Sequence, residues 1–137
     1  MIKVGDWVKV ENTGIVGKIT SIEPNKYIEH HGNKILKNVV FLNNQTVKNY
    51  ETELTKLHIN FKPFEINSNV CELRRIEGNE HNILFIAYET NDKVYASCQE
   101  YVDDSKVRSS YFPTIIQAKD WLELQYATML AKARGMV

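Results

Sequence analysis

The sequence predicts an α+β protein in two parts, and three observations carry this prediction. Residues 1–60 contain short apolar stretches with a period of two, separated by Gly and Asn turns, which is typical of the strands of a small β-barrel. Residues 61–69 interrupt this pattern with a proline and several Asn and Ser, as a linker would. Residues 70–137 hold four further strand patterns, which predict an antiparallel meander, and then a helical pattern, which predicts one long C-terminal helix packed on it.

The first strand and its turn open the N-terminal half. Alternation places Trp7 with two lysines on one face, where we expect the ring at the rim, and sends Ile2, Val4, Val8 and Val10 to the core. Gly14 closes the turn, and Gly17 lets the next strand bend before a bulge near residues 20–21. We expect Pro24 and Asn25 to end that strand, so that residues 26–34 form a polar, mobile loop.

The remaining N-terminal elements follow from turn chemistry. Residues 35–42 are apolar on both faces and predict a central strand. Asn43 and Asn44 predict a tight hairpin turn, because Asn tolerates positive φ. A return strand over residues 46–50, one helical turn over residues 51–54 and a closing strand over residues 57–59 complete the prediction.

The C-terminal half is predicted as four strands and a helix. The strands cover residues 70–77, 82–90, 94–102 and 107–112, with turns at residues 78–79, 91–92 and 103–104. Thr114 and Gln117 form a capping box, so the helix should begin at Ile115, and Gly135 should end it. Its predicted apolar stripe consists of Ile115, Ala118, Trp121, Leu122, Met129 and Leu130.

Composition excludes several classes of protein. The 137 residues are 43% hydrophobic and 25% charged, with a formal net charge of zero, as in a folded globular protein. We expect neither a membrane span nor a signal peptide, and hence a cytoplasmic location in a bacterial cell or a phage-infected host. Cys71 and Cys98 lack metal or redox spacing and are expected to be buried free thiols.

Part of the N-terminal half resembles a known family. Residues 4–22, with Gly5-Asp6, Val8, Val10 and Gly17-Lys18-Ile19, resemble the KOW motif, and residues 2–59 resemble the SH3-like or Tudor-like barrel that contains it. The resemblance implies a barrel that binds RNA, DNA, ribosomes, RNA polymerase or methylated peptides. A KOW-type barrel joined to a small α/β domain is also similar in architecture to phage DNA-binding proteins of the MotB type.

The charge distribution favours nucleic acid as the partner, with DNA favoured over RNA. Residues 1–62 carry nine lysines and six carboxylates, a balance of +3, whereas residues 63–137 carry eight basic and eleven acidic side chains, a balance of −3. Basic side chains next to aromatic rings suit contacts to phosphates and bases. The predicted nucleic-acid-binding residues are Trp7, Lys9, Lys18, Lys26, Tyr27, Lys34, Lys37, Lys48, Arg74, Arg75 and Arg108.

The acidic second half favours a different partner. Two tyrosines on an alternate strand face, close to three carboxylates, would present an acidic, aromatic patch to a basic protein. The residues of this alternative are Tyr95, Glu100, Tyr101, Asp103 and Asp104. The target would be a nucleic-acid-handling protein, and a phage-encoded inhibitor of host transcription or of a defence nuclease fits this reading. Two alternatives are less favoured: that the protein binds a methylated peptide in an aromatic cage, and that it is an enzyme.

Catalytic patterns are missing from the sequence. His30 and His31 are adjacent, so on an extended segment their side chains point in opposite directions and form a poor metal site. Ser109 and Ser110 have no His and Asp in a nucleophile arrangement, and no glycine-rich phosphate loop occurs. We therefore expect a non-enzymatic protein with no cofactor and no metal.

Overall fold

A computed structural model describes residues 1–65, 69–76, 82–100 and 103–137, without the side chains of residues 30 and 103–106. The chain divides into two compact units, the N-terminal unit of residues 1–59 and the C-terminal unit of residues 60–136. Each unit has an antiparallel sheet, and the C-terminal unit adds one helix, so the α+β class is confirmed. No helix of the described residues is long and apolar enough to cross a membrane.

The N-terminal unit is one five-stranded antiparallel sheet. Its strands are β1 (Trp7–Val10), β2 (Val16–His30), β3 (Asn33–Leu42), β4 (Asn49–Tyr50) and β5 (Leu54–Leu57), with a short 3₁₀ helix at Glu51–Glu53. The strand order is β4-β3-β2-β1-β5. Within residues 1–65 no ladder joins β4 to β5, so the two outer strands remain edges.

The core of the N-terminal unit follows the predicted alternation only in part. Val8, Ile19, Val40 and Leu42 are buried together, and Ile2, Val10, Ile22 and Leu54 pack against them. Val4, predicted in the core, is 58% exposed, because Gly5 has φ +96° and Asp6 accepts a hydrogen bond from the Lys3 amide, so the chain turns before β1. Trp7, predicted at the rim, is 9% exposed and lies between Lys18 and Leu57 in the sheet.

The largest error of the sequence prediction concerns residues 24–34. Pro24 and Asn25 do not end the strand: a bulge lies between Glu23 and Lys26, Asn25 has φ +55°, and β2 continues to His30. Residues 26–30 pair with residues 33–37, and the two-residue turn has φ +51° at His31 and +80° at Gly32. Positive φ at both turn positions is the geometry of a type I′ hairpin. The predicted polar loop is therefore a β-hairpin.

The elements after residue 42 of this unit agree only in part with their predicted positions. Asn43 and Asn44 have φ of +55° and +58°, and the 3₁₀ helix lies in the predicted helical turn, so both predictions are confirmed. The return strand shrinks to the two residues of β4, which pair with Val39 and Val40. The closing strand is β5, three residues earlier than predicted, and it pairs with β1.

The C-terminal unit is a four-stranded meander with one helix. Its elements are β6 (Val70–Arg75), β7 (Asn82–Thr90), β8 (Lys93–Glu100), β9 (Asp103–Phe112) and α1 (Ile115–Ala133), in the sheet order β6-β7-β8-β9. Asn91 has φ +51° in the predicted turn. The predicted turn at residues 103–104 is wrong, because Asp103 already pairs with Glu100 in the ladder. The turn predicted at residues 78–79 lies outside the described residues.

Helix α1 begins and ends as its sequence predicts. The Thr114 hydroxyl accepts a hydrogen bond from the Gln117 amide at 3.3 Å, which satisfies a donor of the first turn. At the other end the Gly135 and Met136 amides donate to the Lys132 and Ala131 carbonyls, with φ +68° at Gly135, as in a Schellman motif.

The helix covers one face of the C-terminal sheet. Phe85 of β7 contacts the Tyr126 ring at 5.4 Å between centroids, and Phe112 of β9 contacts Trp121 at 5.9 Å. Ala118, Leu122 and Leu130 of the predicted stripe are buried, whereas its other three members are only half-buried. The buried helix residues outside that stripe are Lys119, Tyr126, Ala127 and Ala131.

Candidate nucleic-acid interface

The distal part of the β2–β3 hairpin, residues 26–37, forms an exposed two-stranded arm. Five residue pairs, from Lys26↔Lys37 to His30↔Asn33, build it. At about 3.3 Å per residue the arm is roughly 16 Å long. The bulge sets its direction, since the Asn25 amide donates a 3.0 Å hydrogen bond to the Asn38 side-chain oxygen.

Four predicted nucleic-acid-binding residues lie on this arm. Tyr27 is 71% exposed, Lys26 and Lys34 are exposed, and Lys37 is half-buried with its ammonium 5.2 Å from the Tyr50 ring centroid. Residues 26–37 contain these three lysines and one glutamate, which gives the arm a balance of +2. The pairing of β2 with β3 therefore brings these four residues onto one hairpin, although they are up to eleven positions apart in the sequence.

Two lysines of the arm are cross-strand partners. Lys26 lies opposite Lys37, and like charges in this arrangement are unfavourable unless a counter-charge is present. Each has partial compensation: the Lys26 ammonium is 4.0 Å from the Glu23 carboxylate, and the Lys37 ammonium is 3.5 Å from the Thr52 hydroxyl and 5.2 Å from the Tyr50 ring centroid. A phosphate between the two ammonium groups would remove the repulsion.

The other predicted lysines of this unit are placed less favourably. Lys9 pairs with the Glu11 carboxylate at 3.8 Å and has a side chain only 23% exposed. Lys18 is half-buried with its ammonium 5.8 Å from the centroid of the buried Trp7 ring. Because the Trp7 ring is buried, it cannot stack on a base. Lys48 is exposed, in the segment before β4.

Among the predicted arginines, Arg74 belongs to the core of the C-terminal unit. It is 9% exposed, and its guanidinium lies 3.9 Å from the Phe64 ring centroid and 5.2 Å from that of Tyr126. It also donates to the Lys62 carbonyl and to the Glu72 carboxylate. Its donors face protein groups, so the prediction that Arg74 contacts nucleic acid does not fit its position.

The other two arginines are exposed but lie on opposite faces of the sheet. Arg75 is next to Arg74 in β6 and therefore points away from the helix. Arg108 lies on the helix side, where its guanidinium donates to the Gln125 side-chain oxygen at 3.3 Å. The three predicted arginines therefore do not form one surface.

The predicted acidic, aromatic patch is divided by the sheet. Tyr95 pairs with Tyr88 on the face away from α1, whereas Glu100 pairs with the buried Ile83 on the helix side. Tyr101 lies outside the described residues, and for Asp103 and Asp104 only the backbone is described, in β9. The described members of the patch therefore do not share a surface.

A row of tyrosines in the C-terminal sheet was not predicted from the sequence. Tyr88, Tyr95 and Tyr111 are cross-strand neighbours on β7, β8 and β9, with ring centroids 5.4 Å and 5.3 Å apart. The signal was present in the sequence: each tyrosine alternates with a residue that faces the helix. Only the strand register, which depends on the turns, shows that the three rings adjoin.

Two titratable groups are unusual without forming a site. Burial raises the pKa of the Cys98 thiol to about 11, whereas Cys71 is exposed, contrary to the prediction of two buried thiols. Burial lowers the pKa of Lys119, which is 3% exposed and whose ammonium has no hydrogen-bond partner among the described residues. No group of three or more His, Cys, Asp or Glu in the described parts of the chain could hold a metal ion.

Comparisons of the chain with protein-family models, with curated proteins and with solved structures find no match.

Proposed function

We propose that this protein is a non-enzymatic DNA-binding protein whose arm, residues 26–37, enters the major groove of duplex DNA. The observation that carries the proposal is that four predicted residues lie on one exposed β-ribbon, with Lys26 and Lys37 on one face and Tyr27 and Lys34 on the other. The major groove of B-DNA admits a two-stranded ribbon and is about 8.5 Å deep, so an arm of roughly 16 Å reaches its floor. Lysines at the base of the arm would then meet the phosphates that border the groove.

We also propose that the N-terminal unit is an SH3-like barrel of the KOW type. Its strand order, β4-β3-β2-β1-β5, and the shared strand β2 support this proposal. Gly17 adds support, because a Cβ there would lie 3.0 Å from Leu42 Cδ1, so the KOW glycine position permits a close approach of two strands. Nuclear Overhauser contacts between β4 and β5 in solution would support closure, and well-resolved spectra without them would argue for an open sheet.

The geometry favours duplex DNA over duplex RNA. The major groove of A-form RNA is too deep and narrow to admit side chains, whereas that of B-DNA is about 12 Å wide. The arm should therefore bind a DNA duplex more tightly than an RNA duplex of the same sequence. Equal affinities would indicate phosphate contact without groove insertion.

The test compares two double variants that remove the same charge. Lys26→Ala with Lys37→Ala changes the arm, and Lys9→Ala with Lys56→Ala changes two ion-paired lysines outside it. Fluorescence anisotropy with a labelled DNA duplex over a series of salt concentrations measures each affinity. If both arm lysines contact phosphates, the slope of log K against log salt becomes shallower by about 1.8, at roughly 0.9 per contact.

The control variant distinguishes the effect of the arm lysines on DNA affinity from the effect of the protein's net charge. A steep salt dependence that only the arm variant reduces supports the proposal. Equal losses in both variants would mean that overall charge, not the arm, governs binding. Absence of binding by the wild-type protein at low salt would exclude DNA as the partner.

A further inference from the structure

The outer face of the C-terminal sheet, the face opposite α1, has a composition unlike that of an ordinary solvated surface. At one edge of this face, on β6, Leu73 is 48% exposed and Cys71 is exposed, and at the other edge, on β9, Val107 is 42% exposed. These side chains point away from the helix because their neighbours Val70, Arg74 and Phe85 face it. The function proposed for the arm does not use this face.

The row of tyrosines is the ordered part of this face. Tyr88 is 42% exposed and Tyr111 is 59% exposed, and Tyr95 is half-buried between them. The rings are tilted by 52° and 57° against their neighbours, so each outer ring presents part of its surface to solvent. With centroids 5.3–5.4 Å apart on three adjacent strands, the rings form a continuous aromatic row.

The charged side chains that the structure describes on this face have one sign. Among its described side chains the charged ones are Arg75 and Lys93, and the Lys93 ammonium lies 6.0 Å from the Tyr111 ring centroid. The described carboxylates of the sheet, such as Glu72 and Glu100, belong to the helix side. A face with aromatic rings, cations and no described carboxylate is complementary to a flexible polyanion that carries planar groups.

We propose that the tyrosine row of the C-terminal unit is a binding site for single-stranded nucleic acid, distinct from the duplex site of the arm. Bases would stack on Tyr88 and Tyr111, and Lys93 would contact the backbone next to Tyr111. The hydroxyl of the exposed Ser109, two residues before Tyr111 on the same face of β9, would supply a hydrogen bond.

The test uses a labelled oligothymidylate of about 12 nucleotides, which forms no duplex, and measures its fluorescence anisotropy with the full chain. Tyr88→Ala and Tyr111→Ala should each weaken binding roughly 5- to 150-fold, the range for loss of one stacked base. Tyr88→Phe and Tyr111→Phe keep the rings and should bind nearly as the wild type does. Ile116→Ala, at a helix residue that is 56% exposed, is the control for substitution of an exposed apolar side chain.

The arm variant makes the two proposals separable. Lys26→Ala with Lys37→Ala should retain oligothymidylate binding, and Tyr88→Ala with Tyr111→Ala should retain duplex binding. Loss of oligothymidylate binding in the arm variant alone would overturn the second site, because one surface would then bind both ligands. Circular dichroism of the tyrosine variants verifies that they are folded.

Cys71 offers a measurement without mutation. It lies on the outer face, opposite Ile86 and one row from the tyrosines, whereas Cys98 is buried. Bound oligothymidylate should slow the alkylation of Cys71 by a maleimide. An unchanged rate together with unchanged anisotropy would overturn the proposal. So would dimerisation through this face, seen as a doubled mass in sedimentation that Tyr88→Ala abolishes, with no oligothymidylate binding.

Discussion

Arg74→Ala should destabilise the C-terminal unit without weakening the binding of duplex DNA. In the structure the Arg74 guanidinium lies against two rings, those of Phe64 and Tyr126, and donates to the Lys62 carbonyl. Alanine would remove all of these contacts at once. The sequence alone predicts the reverse, because an arginine on a strand is a common ligand of phosphate.

The magnitude follows from the individual contacts. A hydrogen bond from a charged donor contributes about 1.5–3 kcal/mol, and a desolvated cation–π contact about 2 kcal/mol. The ion pair with Glu72 adds about 0–1 kcal/mol, since the Glu72 side chain is 43% exposed. Because the contacts share one side chain and do not add fully, we expect a loss of about 3 kcal/mol in the free energy of unfolding.

Hydrogen–deuterium exchange measures this loss of stability in the C-terminal unit separately from the N-terminal unit. The central strands β7 and β8 should exchange through global opening of the C-terminal unit, so about 3 kcal/mol corresponds to exchange roughly 100-fold faster. Arg108→Ala is the matched control, because it removes an exposed arginine with one 3.3 Å hydrogen bond to Gln125. Its expected cost is within about 0.5 kcal/mol.

A structural role and a nucleic-acid-binding role of Arg74 predict opposite results. Unchanged exchange in β7 and β8, combined with weaker DNA binding, would refute the structural role and restore Arg74 to the nucleic-acid-binding residues. Faster exchange with unchanged DNA affinity would support it. DNA binding is measured at a temperature where circular dichroism shows the variant to be folded.

Three further predictions concern single positions. Gly17→Ala should destabilise the N-terminal unit by about 1–3 kcal/mol in urea denaturation, because the new Cβ would lie 3.0 Å from Leu42 Cδ1; an unchanged midpoint would show that β3 yields without cost. Thr114→Ala should cost about 1 kcal/mol by removing the cap of α1, whereas Thr114→Ser should cost little; equal effects would exclude the cap. Lys119→Met should stabilise the C-terminal unit by about 1 kcal/mol at neutral pH, because the folded state lowers the pKa of this lysine and so disfavours its charged form. This penalty is full below the folded pKa and fades as the pH rises towards about 10.4, so the advantage of the variant should shrink in alkaline urea titrations; a constant advantage would contradict burial of a charge.

Features that depend on neighbours in the sequence could be predicted. Thr114 and Gln117 are three residues apart, and the cap that they form needs no other part of the chain. Asn43, Asn44 and Asn91 adopt positive φ where the sequence places turns, because their own side chains tolerate it. The α+β class follows from such local signals.

Features that depend on distant contacts could not be predicted. In β6 both alternating sets contain apolar residues, Leu73 on one face and Val70 on the other, so the pattern does not decide which face is buried. Phe64 and Tyr126 decide it, and they place Arg74 inside. The orientation of a strand with two mixed faces is a tertiary property.

The arm was missed for a different reason. Pro24 and the charged residues after it are typical of a loop, but Pro24 is tolerated at a bulge, where the ladder is already interrupted. A usable signal was the pair His31-Gly32, because His can adopt positive φ and Ile28 and Ile35 each lie three residues from the pair. A two-residue turn centred on His31 and Gly32 fixes the whole pairing of residues 26–37.

The alternation of the arm also limits how it can change in evolution. Insertion of one residue into a single strand between the bulge and the turn would exchange the two faces of that strand, and Tyr27 would leave the side that it shares with Leu36. Insertion of two residues into each strand would preserve both faces and lengthen the arm by about 7 Å. Relatives of this protein should therefore differ in arm length by even numbers of residues per strand, and each such step would carry the His31-Gly32 tip farther from the rest of the sheet, which would stay the same.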